Sequence, residues 1–244
     1  MKKLVTLLLV GLFAGACQTD HVVPTDGLLV IDPSEKISLT PNGPQYGYSE
    51  LTQEMLKWLF ALPVADSPFS DEDGSVHKNT PQPIPGVTFL SSNLGGTSVR
   101  TATVSSDQYL FINPLGGLTF YFRNDICDPT FTIPPGQTET EYLLGLAAPM
   151  MDAVTNVSVK VDGVNLLTDL KKYRIKTPAF ELGIHMDYLD PACDNGTQKA
   201  IAVDDGFSIL LKLPKGQHTI AMAGEIPDAA HPFTTEVIWN LTVE

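Results

Sequence analysis

His185, Asp187 and Asp190 fall within six residues of one another, and their side chains are types that hold a transition metal through nitrogen and oxygen. On an extended segment His185 and Asp187 project to the same face, so a metal site, if the chain carries one, is assigned to these three. A zinc centre needs three or four converging ligands. The chain has no HExxH, and His21, His77, His218 and His231 are scattered. The plainer reading of the cluster is a polar loop following a strand at Phe180.

Asp204-Asp205-Gly206 is the second place where residue types suggest chemistry, because paired carboxylates in unlike surroundings do acid/base work. Adjacent carboxylates at a turn are more commonly solvated or bonded to backbone, and that reading is preferred. Asp71-Glu72-Asp73-Gly74 resembles the start of a calcium loop but lacks a Glu at its twelfth position, so it reads as a solvated acidic loop. There is no Gly-x-Ser-x-Gly elbow, no P-loop and no Gly-x-Gly-x-x-Gly cradle. No catalytic residue and no cofactor are assigned. Tyr109, Tyr121, Tyr142, Tyr173, Tyr188 and Trp239 are the residue types that stack on sugars, but Trp239 sits on an apolar strand face and reads as core. His218 reads as an exposed, hydrogen-bonded strand residue.

The elements that must position these residues begin after an address. Residues 1–16 have the three parts of a secretory signal: Met1-Lys2-Lys3, an apolar run from Leu4 to Phe13, and the small residues Ala14-Gly15-Ala16. The apolar run is shorter than the ~20 residues that span a bilayer. Cys17 directly after the cut resembles the acylated cysteine of a bacterial lipoprotein, although Ala14 stands where that motif has Leu. Attachment to the membrane through lipid on Cys17 is therefore expected, in the cell envelope at the outer membrane or surface; the alternative is a periplasmic or secreted protein. Cys127 and Cys193 then remain as a pair, which in an oxidising compartment reads as one disulfide.

Of the 244 residues, 15 are Lys or Arg and 28 are Asp or Glu, giving a net charge of −13. That balance argues against nucleic acid, which requires a basic face. A hydrophobic content of 43% supports a real core and excludes a disordered chain. Residues 17–45 hold Pro24, Pro33, Pro41 and Pro44 among polar residues, a tether in which only Leu28–Ile31 could form a strand. Residues 46–244 read as a single β-rich domain.

Within that domain Leu51, Met55 and Leu59, widened by Leu56 and Phe60, predict a helix over 49–62, capped by Ser49 and ended by Pro63. A second helix, over 139–148, is weakened by Gly145 and Pro149. From Pro85 onward the pattern is period two. Strands are expected at 87–90, 98–104, 109–112, 118–122, 131–133, 157–161, 164–167, 173–176, 180–184, 207–213, 218–223 and 235–243. Asp162-Gly163 is the strongest hairpin signal. The expected fold is mainly β: an antiparallel β-sandwich, jelly-roll or Ig-like, with one or two α-helices.

Several segments together resemble a family of uncharacterised exported bacterial proteins. They are Tyr46-Gly47-Tyr48-Ser49, Trp58 with Pro63, Phe89-Leu90 with Gly95-Gly96 and Arg100, Asp162-Gly163, and Pro214-Lys215-Gly216-Gln217-His218-Thr219-Ile220. The resemblance spans 46–244 and departs in having fewer Trp in the first helix and His77 where relatives often carry Cys. It implies an exported globular domain and no activity. The function expected is therefore non-catalytic binding of a glycan or protein by an envelope protein. A hydrolase or metal-dependent enzyme built from dispersed residues, and a structural envelope component, are the alternatives.

Overall fold

The computed structural model describes residues 27–122, 132–189, 196–227 and 232–244. Cys17, Cys127, Cys193 and Asp190, and with them the lipid site, the disulfide and one of the three proposed metal ligands, lie outside the described residues.

The elements in chain order are β1 (Leu29–Val30), β2 (Ile37–Ser38), β3 (Gln45–Tyr46), α1 (Tyr48–Phe60), α2 (Ser75–Asn79), β4 (Val87–Ser91), β5 (Gly96–Val104), β6 (Tyr109–Leu115) and β7 (Thr119–Phe122). They continue with α3 (Glu139–Asp152), β8 (Val157–Val161), β9 (Val164–Asn165), α4 (Leu170–Tyr173), β10 (Arg174–Lys176) and β11 (Phe180–His185). The chain closes with β12 (Thr197–Val203), β13 (Asp205–Lys212), β14 (Gly216–Ile226) and β15 (Phe233–Val243). This is a mainly β fold with a few short helices, as the sequence pattern predicts. Among the described residues no helix is long and apolar enough to cross a membrane.

Three sheets carry the architecture. The first runs β1-β13-β6-β4, with β10 sharing the β1 edge of β13. The second runs β5-β15-β14-β8-β9 and the third β11-β12-β7. Strands β4, β6 and β13 are buried along nearly their whole length, which requires cover on both faces. One cover is the second sheet, whose Val159, Ile220, Met222, Val237, Trp239 and Leu241 share the first sheet's core. The other is α1: Tyr48 meets Phe111 edge-on, Trp58 lies against Phe89, and the Tyr48 hydroxyl donates to Ile31 O at 2.7 Å. A smaller core joins Leu56 of α1 to Phe180, Leu182 and Ile184 of β11.

Some expectations need correction. The sheets are mixed rather than wholly antiparallel, because β4 pairs with β6, and β5 with β15, in parallel. The cause is that β5 leaves the first sheet for the second, so β4 and β6 become neighbours with a crossover between them. Helix α1 starts one residue early: Gly47 is its cap, and Glu50 Oε2 accepts the Gly47 N–H at 3.0 Å, leaving Ser49 inside the helix. The acidic stretch 71–74 is not simply a loop, since it leads directly into α2. Residues 132–133 form no strand, and β12 carries no clear signal of its own.

Candidate functional site

Strand β6 ends at Leu115 and is followed by Gly116-Gly117, and the chain between β12 and β13 passes directly beside these glycines at Asp204. The glycines make that approach possible. A Cβ on Gly116 would lie 3.0 Å from Asp204 Oδ1, and one on Gly206 would lie 2.7 Å from Oδ2. Thr177 pins the Asp204 backbone from the other side: its N–H donates to Asp204 O at 2.9 Å, and its Oγ1 accepts the Asp204 N–H at 2.8 Å. A register shift follows between Phe207 and Ile209. Such irregularities re-aim side chains next to functional sites. Here it accompanies a bond from Asn113 Nδ2 to Ser208 Oγ at 3.1 Å.

Asp204 is 1% exposed and neither carboxylate oxygen has a hydrogen-bond partner. Burial first, and the charge of Asp205 second, push its carboxyl up to about 7, although the Gly117 amide opposes this. Asp205 is equally buried but fully partnered. Arg174 clamps it with Nε to Oδ1 at 2.6 Å and Nη2 to Oδ2 at 2.7 Å, and the third nitrogen, Nη1, reaches Asp152. Lys176 stands 3.6 Å away. The expectation that these carboxylates are solvated or bonded to backbone is therefore corrected. One is locked in an ion pair and the other is buried without a partner.

Asp204 lines a cavity of about 160 Å3. Its walls are apolar: Met55 and Leu59 from α1, Phe69, and Leu118 after β6. Asn113 and Gly116 share the floor with Asp204, and Asn113 Oδ1 lies 3.6 Å from the same Gly116 Cβ position that Asp204 Oδ1 approaches. The mouth is rimmed by Leu94, 51% exposed, and the half-buried Phe233. A cavity of this size holds a benzene-sized body. Apolar walls with a few converging polar groups are the usual make-up of a small-molecule site.

The metal candidates are brought only partly together. His185 Nδ1 and Asp187 Oδ1 are 2.6 Å apart, and Asp187 Oδ2 accepts the Val64 N–H at 2.9 Å. Burial works against ionisation of Asp187, but Val64 and His185 outweigh it and hold the carboxyl below its ordinary value. Both groups are thus engaged in tying β11 to the chain after α1. Among the described residues no three His, Cys, Asp or Glu are grouped for a metal.

Near β4 the polar side chains do structural work. Asp71, far from being solvated, is buried and accepts the N–H of Gly74 at 2.9 Å and of His77 at 2.8 Å, capping α2. His77 Nε2 meets Phe89 O at 2.9 Å and Gln82 Oε1 accepts the Phe89 N–H at 2.8 Å, so these two side chains satisfy the edge of β4 as a neighbouring strand would. Burial pushes the His77 imidazole down, with Phe89 O and Asp71 opposing. Arg100, 0% exposed, projects inward from β5 onto Trp239 at 5.3 Å and donates to Ser91 O at 3.0 Å, while Nε and Nη2 stay unpartnered. Burial brings its pKa down to about 10.

Trp239 and Tyr173 are core, and Tyr188 donates to Leu59 O at 3.1 Å. Tyr109 lies beneath Lys212. A groove of about 580 Å3 beside β5 is lined by Thr101, Thr103, Gln108, Asn240 and Thr242 with no Tyr, Trp or Phe face for a sugar ring. His218 is largely buried rather than exposed; Asp162 Oδ2 and Pro214 O hold its two ring nitrogens at 2.8 and 3.0 Å.

No family model matches the chain, and no curated protein matches it. Among solved structures, PbICP-C in complex with falcipain-2 is 15% identical, covering 64% of this chain and 98% of its own, with a TM-score of 0.20. Amebosin, solved in solution, is 11% identical, covering 65% of this chain and 100% of its own, with a TM-score of 0.16. Neither likeness carries a conclusion.

Proposed function

We propose that the protein is an exported envelope protein, held to the membrane by lipid on Cys17, that binds a small ligand without transforming it. The observation supporting a binding role is the apolar cavity floored by the unpartnered, buried carboxylate of Asp204. A buried polar group without a partner costs roughly 1–3 kcal/mol, more when charged, and a fold that retains one beside an open cavity leaves that bond to an incoming group. Catalysis by the Asp204–Asp205 pair is disfavoured, because adjacent residues of an extended chain project to opposite sides and Asp205 is spent on Arg174.

Thermal melts with benzene-sized probes test the binding role. Benzene or cyclohexanol in excess is expected to raise the melting temperature of the wild type and to do nothing for Met55→Trp, whose larger side chain occupies the cavity. No shift in the wild type, or an equal shift in the variant, would contradict the site. Membrane attachment is tested by fractionation: Cys17→Ala is expected to release the protein from the membrane, and retention would contradict the lipid anchor.

A further inference from the structure

We propose that the Asp204 cavity selects a small apolar amine: a body of about six heavy atoms with one ammonium, which donates to Asp204 and to Asn113 Oδ1. The inference rests on the cavity being a ligand site and names the chemistry of the ligand's head.

With Asp204 ionised, its two oxygens and Asn113 Oδ1 make the floor a group of acceptors. Both Asp204 oxygens lack partners. Asn113 turns its amide nitrogen to Ser208, which leaves its oxygen on the side of Gly116, where Asp204 Oδ1 also lies. Asn93, the other amide of the lining, is saturated: its oxygen accepts from Gly95 N and Thr235 Oγ1, and its nitrogen faces Gly96 O, Ser98 Oγ and Glu236 O. A ligand head that bonds to ionised Asp204 and to Asn113 Oδ1 is therefore a donor. An ammonium has three.

Charge points the same way. Lys and Arg are absent from the cavity lining. Arg174 and Lys176 face Asp205, and Asp152 shares Arg174; Arg100 stands behind the lining, donating to the carbonyls of Ser91 and Ser92 and lying over Trp239. An anion would meet Asp204 with Asp205 behind it, inside a protein of net charge −13; a cation is drawn in by the same field. A metal ion fits poorly, since calcium takes six to eight oxygens and zinc three or four protein ligands, and this floor presents two oxygen-bearing side chains. The walls then set the rest of the ligand. Met55, Leu59 and Phe69 offer only apolar contact, and about 160 Å3 holds one ring.

The test is a calorimetric titration at pH 8 with cyclohexylamine and cyclohexanol, which share a body and differ in the head. The wild type is expected to bind the amine about tenfold to a hundredfold more tightly, the range for one hydrogen bond to a charged partner. Asp204→Asn is expected to lose that preference while still binding the alcohol, and Asn113→Ala to lose part of it. Alcohol bound as well as the amine by the wild type, or the preference surviving in Asp204→Asn, would overturn the inference and leave the cavity as a ligand site. Binding of neither compound by the wild type would overturn both.

Discussion

Asp204 and Asp205 are consecutive and equally buried, yet Asp205 is held by the Nε–Nη2 edge of the Arg174 guanidinium while neither carboxylate oxygen of Asp204 has a hydrogen-bond partner. Each makes the other's position harder. The fixed charge on Asp205 adds to the burial that keeps Asp204 from ionising. The two sides of one strand end thus serve different purposes: one fastens β10 and α3 to β13, and the other presents an unsatisfied acceptor to a cavity.

Asp204→Asn is expected to stabilise the free protein at pH 8 and to change little at pH 4. The folded state raises this carboxyl from 3.8 to about 7. The native state therefore holds the proton more tightly than the unfolded chain, and stability falls as pH rises between those values. Full ionisation costs on the order of 4 kcal/mol, an upper figure. Melting temperatures of variant and wild type across pH 4–8 check this; a gap that does not widen with pH contradicts it.

Arg174→Met is expected to destabilise by roughly 3 kcal/mol, because it leaves the buried Asp205 charge without its hydrogen bonds and with only Lys176, 3.6 Å away, opposite it. Adding Asp205→Asn is expected to recover much of the loss. Urea unfolding of the two variants measures both, and an Arg174→Met loss under about 1 kcal/mol would mean the pair contributes little.

Two glycines with left-handed backbones separate strain from collision. Gly163, at φ +87° in the β8–β9 hairpin, has open space around a Cβ, so Gly163→Ala costs roughly 1–2 kcal/mol of backbone strain. At Gly74, φ +97°, a Cβ would stand 2.1 Å from Thr101 O. Gly74→Ala is expected to cost roughly 3 kcal/mol or more and to detach the 71–74 turn from β5. Equal losses in the two variants would contradict the close approach.

His77→Ala removes the group facing Phe89 O and opens the edge of β4, at an expected cost of about 2 kcal/mol or more at pH 8. Since burial lowers the folded pKa of His77, its contribution is complete above the unfolded value of about 6.5 and is lost as pH falls below it. The variant's deficit is expected to shrink between pH 7 and 5; a deficit independent of pH would show that His77 is not buried as the neutral ring.

Period-two patterning carried most of the strands and correctly put Trp239 in the core, because apolar residues on one face of an extended chain leave little choice. It could not fix which face of β5 is inside. Val99 is 51% exposed and Arg100 is fully buried, since cation–ring contact with Trp239 and carbonyls of Ser91 and Ser92 outweigh hydrophobicity there. Nor could it bring Gly116 to Asp204: residues so far apart meet only through sheet pairing, and an Asp-Asp-Gly turn looks the same solvated or buried. His185 and Asp187 were legible as neighbours because their contact is local.

The central claim, that Asp204 is a buried acceptor waiting for a cation, is tested most directly by carbon-detected NMR of its side-chain carboxyl across pH, without and with saturating cyclohexylamine. The free carboxyl is expected to titrate near 7, and the amine to move its midpoint down by at least one pH unit as it stabilises the charged form. A free carboxyl titrating at the ordinary value of 3.8, unmoved by the amine, would contradict the account.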